Sequence, residues 1–566
     1  MLAAKLIKFD ADAVDVLRSV SGRVWDPERK INLFPARSLP EIQRKFPNAI
    51  LSPQIKLALE KTQERTANQR KHAALVEHIK GLPDAEIEGY VWETTPYPHQ
   101  RVGVAFILTI DRCLLLDEMG LGKTKQAIDA ACVRMDRDVI QRCLFIVPNS
   151  LKFNVEQEIN THAPKHYRAT VVVDGPKKRR LIALEEAMHA RFVVINYEAA
   201  RLHINELKMI VDGQMLVCDE AHKIKNKDAQ QTKAVQALKP GYAVLMTGTP
   251  VANKPEDVFT LVDYVQPKLL GKNYWDFVDR YVMRGGFSGK EVTGYRNLDD
   301  LRERIANVSI RRLKSEVLGL PPKTYQHRVI PMLSAQASAY EKMATELRTM
   351  VEDIDGGVWE SKAPMVLTQL LRLQQITDGY LADTTDDGHK WTKWIGSSKL
   401  DALDEIVDDI VRNDGRKLLI WGRFVPVVTT ITERYSDLGI AAIYGAVPTK
   451  ERQAIVNRFQ DLNDPLKIIV GQIQTASLGL TMTAADVEVF YDLSWSPSEN
   501  LQAEDRLHRM GQKGTVSVIR LLCKETIDER MQSVLEYKTR VAGFLSGDLP
   551  ETALKFSREE ILGLLR

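Results

Sequence analysis

The chain has 566 residues, 44% hydrophobic and 27% charged, with no compositional bias, which suits a globular protein of about three or four domains. Its apolar runs fall well short of the ~20 residues a bilayer span requires and no cleavable signal pattern follows Met1, so we expect an intracellular protein, cytoplasmic, nucleoid-associated or nuclear, with no membrane partner. Five scattered cysteines and a net charge of +3 argue for reduced core thiols, against a disulfide or zinc framework, and leave the choice of partner to the distribution of charge.

That distribution is uneven. Between Arg18 and Lys80 there are 13 Lys/Arg against 6 Asp/Glu, a local excess of +7. Ala13–Pro27 reads as a short helix and a turn, followed by an extended Lys30–Pro35, so residues 1–85 are expected to form a small basic α+β module. Trp25, Phe34 and Phe46 are interleaved with the cations. Such a surface can be a solvated basic face or a nucleic-acid contact, and charge alone leaves both open. Residues 52–80 look helical and lead to a linker at Gly81–Asp84.

Pro96–Gly103 follows, with Gln100 offering an amide that can pair with the edge of an adenine. About twenty residues later an apolar run ends in Asp117-Glu118-Met119-Gly120-Leu121-Gly122-Lys123-Thr124, with helix-forming residues behind it. Glycines that let main-chain N–H groups converge on phosphate oxygens, a lysine for the outer phosphates and a hydroxyl for magnesium make this a phosphate-binding loop between strand and helix. Gln100, Gly120, Leu121, Gly122, Lys123 and Thr124 are the expected ATP-binding residues. Asp117 stands where the general pattern has glycine.

Buried, β-rich runs then alternate with helices: Cys143–Pro148, Arg191–Asn196, Met215–Asp219 and Tyr242–Thr247. That alternation predicts an α/β fold with a parallel sheet covered on both faces. Asp219-Glu220-Ala221-His222 closes the third run, at the strand edge where ligands of open α/β sheets bind. Asp219 is expected to hold Mg2+ with Thr124, and Glu220 to orient the attacking water. Thr247-Gly248-Thr249-Pro250, with Asn253, forms a hydroxyl-rich turn able to sense the occupied site.

A charged, helical stretch is expected over about 270–396. From Ser397 a second α/β block repeats the alternation in Lys417–Trp421, Ala441–Tyr444, Lys467–Gly471 and Val487–Tyr491, without a phosphate loop. It carries Gln502–Gln512, where Arg506 and Arg509, three apart on one helix face, are placed to reach the γ-phosphate as arginine fingers. The expected domains are 1–85, basic module; 86–268, lobe 1; 269–396, helical connector; 397–545, lobe 2; and 546–566, a helical tail.

Taken together, Asp117–Thr124, Asp219–Asn226, Leu245–Asn253, Arg311-Arg312-Leu313-Lys314 with Leu320–Lys323, and Gln502–Gln512 resemble the Swi/Snf-type ATPases of helicase superfamily two, over roughly residues 92–535. In that family the first phosphate-loop position is normally not glycine. The resemblance implies two RecA-like lobes, ATP and Mg2+ as cofactors, and duplex DNA as the track. Catalysis would fall to Lys123, Asp219, Glu220, Gln502, Arg506 and Arg509, and coupling to His222, Thr247, Gly248 and Thr249. DNA contacts would come from Asn149, Ser150, Lys152, Asn196, Tyr197, Arg423, Gly445 and Thr475.

Within the family, Thr475–Thr481 leading to Gln502–Arg506, with the Asp10–Phe46 segment, is most similar to the annealing-helicase (HARP-like) subgroup. This implies double-stranded and forked DNA as partners, with single-strand-binding or other replication and repair proteins beside them. Rival expectations are a translocase acting on a protein complex seated on DNA, such as a stalled polymerase, and a catalytically idle DNA clamp.

Overall fold

The computed structural model describes residues 2–4, 11–20, 23–34, 39–47, 52, 73–248, 255–285, 291–352, 359–384, 390–478, 480–509 and 511–546. Two compact units divide at Leu75/Val76. Most of the expected helix over 52–80, the coupling residue Thr249 with Pro250 and Asn253, and the tail beyond Ser546 lie outside the described residues.

The first unit has a three-stranded antiparallel sheet in which β3 (Ile31–Phe34) lies between β1 (Leu2–Ala4) and β2 (Val24–Asp26), with helices at Ala11–Arg18 and Leu39–Lys45. Leu17, Val20, Phe34 and Ile42 form its core and Phe46 packs against them, so two of the three aromatics noted among the cations are structural. Trp25, 47% exposed, is the one left facing solvent.

In the second unit a seven-stranded, wholly parallel sheet is built from β4 (Arg112–Leu115), β5 (Cys143–Val147), β6 (Thr170–Val173), β7 (Phe192–Asn196), β8 (Met215–Cys218), β9 (Tyr242–Met246) and β12 (Ser309–Ile310). The order is β12-β4-β9-β8-β5-β7-β6. Both faces are covered, so the central strands read as continuous apolar runs. Alternate residues serve two cores: Leu114, Leu144, Ile146, Leu216 and Leu245 on one face, and Cys113, Leu115, Phe145, Val217 and Val244 on the other. Val76, Ile79 and Ile87 belong to this second core, so the tail of the expected basic module packs as part of lobe 1. All five cysteines are buried and free.

A second parallel sheet, six-stranded, has the order β13-β20-β19-β16-β18-β17. Its strands are β13 (Lys323–Ile330), β16 (Leu418–Gly422), β17 (Ile440–Ile443), β18 (Ile468–Gln472), β19 (Val487–Phe490) and β20 (Val516–Cys523).

The stretch expected to be helical over 270–396 is mixed. It contains long helices at Ser334–Glu352 and Trp359–Thr377, but also a hairpin of β10 (Val282–Gly285) and β11 (Glu291–Tyr295) and another of β14 (Tyr380–Thr384) and β15 (Lys390–Trp394). It also holds β12 of the first sheet and β13 of the second. These two escape the apolar-run criterion for a physical reason: β12 is two residues long, and β13 is an edge strand whose residues are mostly exposed, Lys-Thr-Tyr-Gln-His-Arg. Residues 311–322 are therefore the crossing between the lobes.

Candidate functional site: the interlobe nucleotide cleft

The site lies where the carboxyl ends of the first sheet face the helix Pro497–Glu504 of the second. Beyond β4 the chain turns through Gly120 (φ 84°) and Gly122 (φ 73°) into the helix Lys123–Asp136. Both glycines sit in the left-handed region, where a side chain is strained. At Gly122 an added Cβ would also lie 2.2 Å from Gln100 Nε2. Lys123 Nζ is held over the turn by the carbonyls of Asp117 (2.8 Å) and Glu118 (3.3 Å). Burial lowers its pKa, against the pull of Glu220, Asp117 and Asp219.

Gln100 is buried beside this turn, but its amide is already engaged: Nε2 donates to Leu121 O (3.3 Å) and Oε1 accepts from Tyr97 N (3.0 Å). In this arrangement it braces the phosphate loop, as does His99, whose Nε2 lies 3.1 Å from Leu121 O.

At the end of β8, Asp219 and Glu220 sit side by side, Glu220 in a left-handed conformation (φ 48°) that turns the two carboxylates into the cleft. Burial, then the neighbouring Glu220, push Asp219 up to about 7. Burial acts on Glu220 in the same sense, but His222, with Nδ1 3.2 Å from Oε2, outweighs it and holds that carboxyl below its usual range. One acid is thus set to ionise when a cation arrives and the other is kept ionised. Thr247 Oγ1 is 3.5 Å from the same His222 nitrogen, and Gly248 O accepts from Arg311 Nη1 at 3.4 Å.

The opposite wall comes from lobe 2. Gln502 Nε2 donates to Glu220 Oε1 across the cleft (3.3 Å). The Arg509 side chain runs over the phosphate loop, its Cγ 3.7 Å from where a Gly120 Cβ would stand, and is steered by Asp505 O (2.7 Å) and Thr481 Oγ1 (3.3 Å). Arg506 donates from Nε to Gln502 O (2.9 Å), while its Nη1 is buried without a partner. A buried, unpaired guanidinium N–H costs stability unless a ligand satisfies it. That orphan donor, the glycine cradle and the Thr124/Asp219 oxygen donors fit a magnesium-bound nucleoside triphosphate.

The residues missed at the sequence level belong to the crossing segment. Arg312 grips Asp117 with a fork, Nε to Oδ1 at 2.9 Å and Nη2 to Oδ2, and Gln126 Nε2 adds a bond at 3.1 Å. Asp117, fully buried, is therefore the anchor that ties the phosphate loop to residues 311–312, which is why an acid replaces glycine there. Lys314 goes further. Its backbone N–H donates to Glu118 Oε2 (2.7 Å), and its Nζ reaches Asp505 Oδ1 (2.8 Å) and His508 O (2.9 Å). Lys323 adds a second ion pair to Asp505 (3.1 Å). Burial would raise the Asp505 pKa, but these two lysines hold it well below the usual carboxylate range. In the sequence, Arg311–Lys314 and Leu320–Lys323 stand out as part of the family resemblance, with no role attached to any one residue.

The expected DNA-contacting residues divide. The turn Asn149–Leu151 of lobe 1 and Ile473–Leu478 of lobe 2 adjoin across the cleft, with Asn149 and Gly445 exposed and Ser150 and Asn196 half-buried. Asn196 Nδ2 donates to Asn149 Oδ1 (2.7 Å), and Arg423, half-buried, donates to Gln374 Oε1 (2.7 Å). Three are corrected. Lys152 is buried in an ion pair with Asp174. Tyr197 is buried and donates to Asp219 O (2.7 Å), linking the loop after β7 to the carboxylate strand. Thr475 turns its hydroxyl inward to Gln472 O (2.6 Å) and Ile443 O (3.2 Å).

Two RecA-like lobes, a phosphate loop on one and paired arginines from the other make this a two-lobed nucleotide motor of the helicase type. The chain belongs to the Swi/Snf-type ATPases of helicase superfamily two, a family of DNA-dependent ATPases: residues 99–379 match the SNF2-related domain and residues 398–511 the helicase conserved C-terminal domain. It is 29% identical over 462 residues to the DNA annealing helicase and endonuclease ZRANB3 of Bos taurus, covering 79% of this chain and 40% of that protein. An uncharacterized ATP-dependent helicase of Mycoplasma pneumoniae is 29% identical over 452 residues, 77% of this chain and 41% of that one. TATA-binding protein-associated factor mot1 of Aspergillus fumigatus is 24% identical over 583 residues, 92% and 30%. The chain thus spans about 40% of the length of the first curated relatives it matches. The SWI2/SNF2 ATPase core of Sulfolobus solfataricus in complex with dsDNA has 26% identity and a TM-score of 0.39, covering 83% of this chain and 98% of that one. Among the described residues no helix is long and apolar enough to cross a membrane.

Proposed function

We propose that this chain hydrolyses ATP to move along double-stranded or forked DNA and that it reanneals or branch-migrates strands. The observation that carries the reading is the Glu220–Gln502 bond beside Arg509 over Gly120: hydrolytic acid and arginine arrive from different lobes, so catalysis requires the lobes to be together. The turns at Asn149–Leu151 and Ile473–Leu478 adjoin across the same cleft, so its opening and closing changes the distance between two surface contacts.

Gly120, Leu121, Gly122 and Lys123 hold the phosphates, and Thr124 and Asp219 hold Mg2+. Bound magnesium ATP supplies the phosphoanhydride that is cleaved. Glu220, kept ionised by His222, takes the proton of the attacking water on a carboxylate oxygen, while Arg506 and Arg509 meet the charge that develops on the transferred group. Most DNA contacts fall on phosphate, so affinity drops steeply with salt and shows little sequence preference.

The annealing reading is supported by the ZRANB3 relatives and the separate N-terminal unit. The mot1 relatives favour a second reading, displacement of a protein seated on DNA. Steady-state ATPase on forks and on blunt duplex, with rewinding of an unwound bubble, separates the two. Fork-selective stimulation with ATP-dependent rewinding is expected; equal stimulation without rewinding would favour displacement, and no DNA stimulation at all would leave a DNA-binding clamp.

A further inference from the structure

The opposite, amino edge of the lobe 2 sheet carries a second concentration of charge that the motor cycle does not use. Lys417 directly precedes β16, Lys467 precedes β18, and Asp486 precedes β19. With Arg416 and Lys513 they line an open cavity of about 540 Å³, within the usual range for small-ligand sites. None of the residues that hold the phosphates or carry the catalytic arginines lines it.

The cations outnumber the acids facing them. Arg416 is paired with Asp486 (2.5 Å). Lys417 Nζ is held only by carbonyls, Phe459 O (2.8 Å) and Asp461 O (2.6 Å), and Lys467 Nζ by Gly415 O (3.3 Å). Among the described residues, none of Lys417, Lys467 and Lys513 has a carboxylate oxygen within 4.0 Å. At the rim Asp464 is engaged by Arg458 (3.0 Å) and Asp414 by Arg416 (3.6 Å), with Asp461 a further nearby acid. Burial, then repulsion from Lys467, lower the Lys417 pKa. Three lysines and an arginine lining one open cavity, beside the small residues Gly415, Ala484, Ala485, Gly511 and Gly514, suit a multiply charged anion able to come close to the main chain.

We infer that this cavity is a binding site for a small oligophosphate, such as pyrophosphate or the phosphates of a free nucleotide, distinct from the ATP cleft. Its walls are the two segments that hold the fingers. Met482 N donates to Arg506 O (2.9 Å), and Gln512 Nε2 donates to both Ala485 O (2.8 Å) and Leu507 O (3.3 Å). A ligand drawing Lys513 toward Lys467 therefore acts on the loop that continues from Arg509 and changes ATP turnover. That consequence rests on the proposed function; the binding itself does not.

The test compares the full chain with the double variant Lys467→Glu, Lys513→Glu, both outside the catalytic cleft, by calorimetric titration with pyrophosphate. The wild type is expected to bind one equivalent more than the variant, or to bind that equivalent at least tenfold more tightly, since a hydrogen bond to a charged group is worth about a factor of ten or more. A Lys467→Arg, Lys513→Arg variant should keep the extra equivalent. Without pyrophosphate the ATPase of both variants should equal wild type, and added pyrophosphate at saturating ATP should change turnover in the wild type and not in the Glu variant. Identical stoichiometry and affinity in wild type and Glu variant would overturn the site. Extra binding without any effect on turnover would leave the site standing and remove its link to the fingers.

Discussion

At the scale of single residues, the cleft assigns each charged group a different task through its surroundings. The Arg509 guanidinium is steered by a carbonyl and a hydroxyl, and its side-chain stem lies beside Gly120 of the phosphate loop. Replacing it by alanine should leave ATP affinity within a few-fold and slow hydrolysis by about 10³-fold or more; single-turnover hydrolysis of pre-bound ATP is the measurement, and a collapse of affinity with unchanged hydrolysis would refute the finger role. Glu488 shows what burial does away from the site. Fully buried, it accepts from Trp421 Nε1 (2.9 Å) and leaves Oε1 unpaired; burial, then Glu504, push its pKa up to about 8. Its pKa is raised on folding, so the unfolded chain releases this proton first. Its contribution to stability therefore falls as pH rises from the ordinary carboxylate range to about 8, by at most about 1.4 kcal/mol per pH unit. Glu488→Gln should gain on the wild type in melting temperature across that window and show no widening gap above it. A gap independent of pH would mean the carboxyl is ionised in the fold.

At the scale of elements, the segment between β12 and β13 acts as a strut. It grips the phosphate loop through Arg312 and Asp117, and through Lys314, with Lys323 at the start of β13, it grips Asp505. The arginines expected on one helix face instead lie in the turns just beyond the helix, which ends at Glu504. In Lys314→Met, Asp505 keeps Lys323, so the fold should survive while the register between loop and fingers loosens. We expect kcat to fall by about 10- to 100-fold, the cost of misplacing reacting groups by about an ångström, with ATP binding changed less than threefold. Unchanged kcat would show that the strut does not set the catalytic geometry.

At the scale of the whole molecule, the N-terminal unit ends at Leu75, and Val76 and Ile79 belong to the core of lobe 1. A deletion meant to spare the motor should therefore stop at residue 72 and not at 85. Removing residues 1–72 should leave ATPase on plain duplex, abolish the preference for forks, reduce bubble rewinding, and make the salt dependence of fork binding shallower as phosphate contacts are lost. Full fork preference and rewinding in the truncated protein would mean the unit is a solvated domain. Deleting residues 1–85 should in addition lower the melting temperature, because it strips apolar side chains from a packed core.

What the sequence determined by itself is local chemistry and buried pattern. Asp117–Thr124, Asp219–His222 and Gln502–Arg509 are short runs whose residue types are required where they stand, and β5, β8 and β16 are legible because strands buried on both faces must be continuously apolar. Edge strands obey no such demand, so β12, β13 and the crossing between them could not be read that way. Nor could pairings between distant residues. That Asp117 replaces glycine because Arg312 holds it, that Tyr197 and Lys152 face inward, and that Lys314 joins Glu118 to Asp505 are consequences of which elements the fold brings within hydrogen-bond reach. Such contacts depend on three-dimensional distance, which the spacing of residues along the chain does not fix.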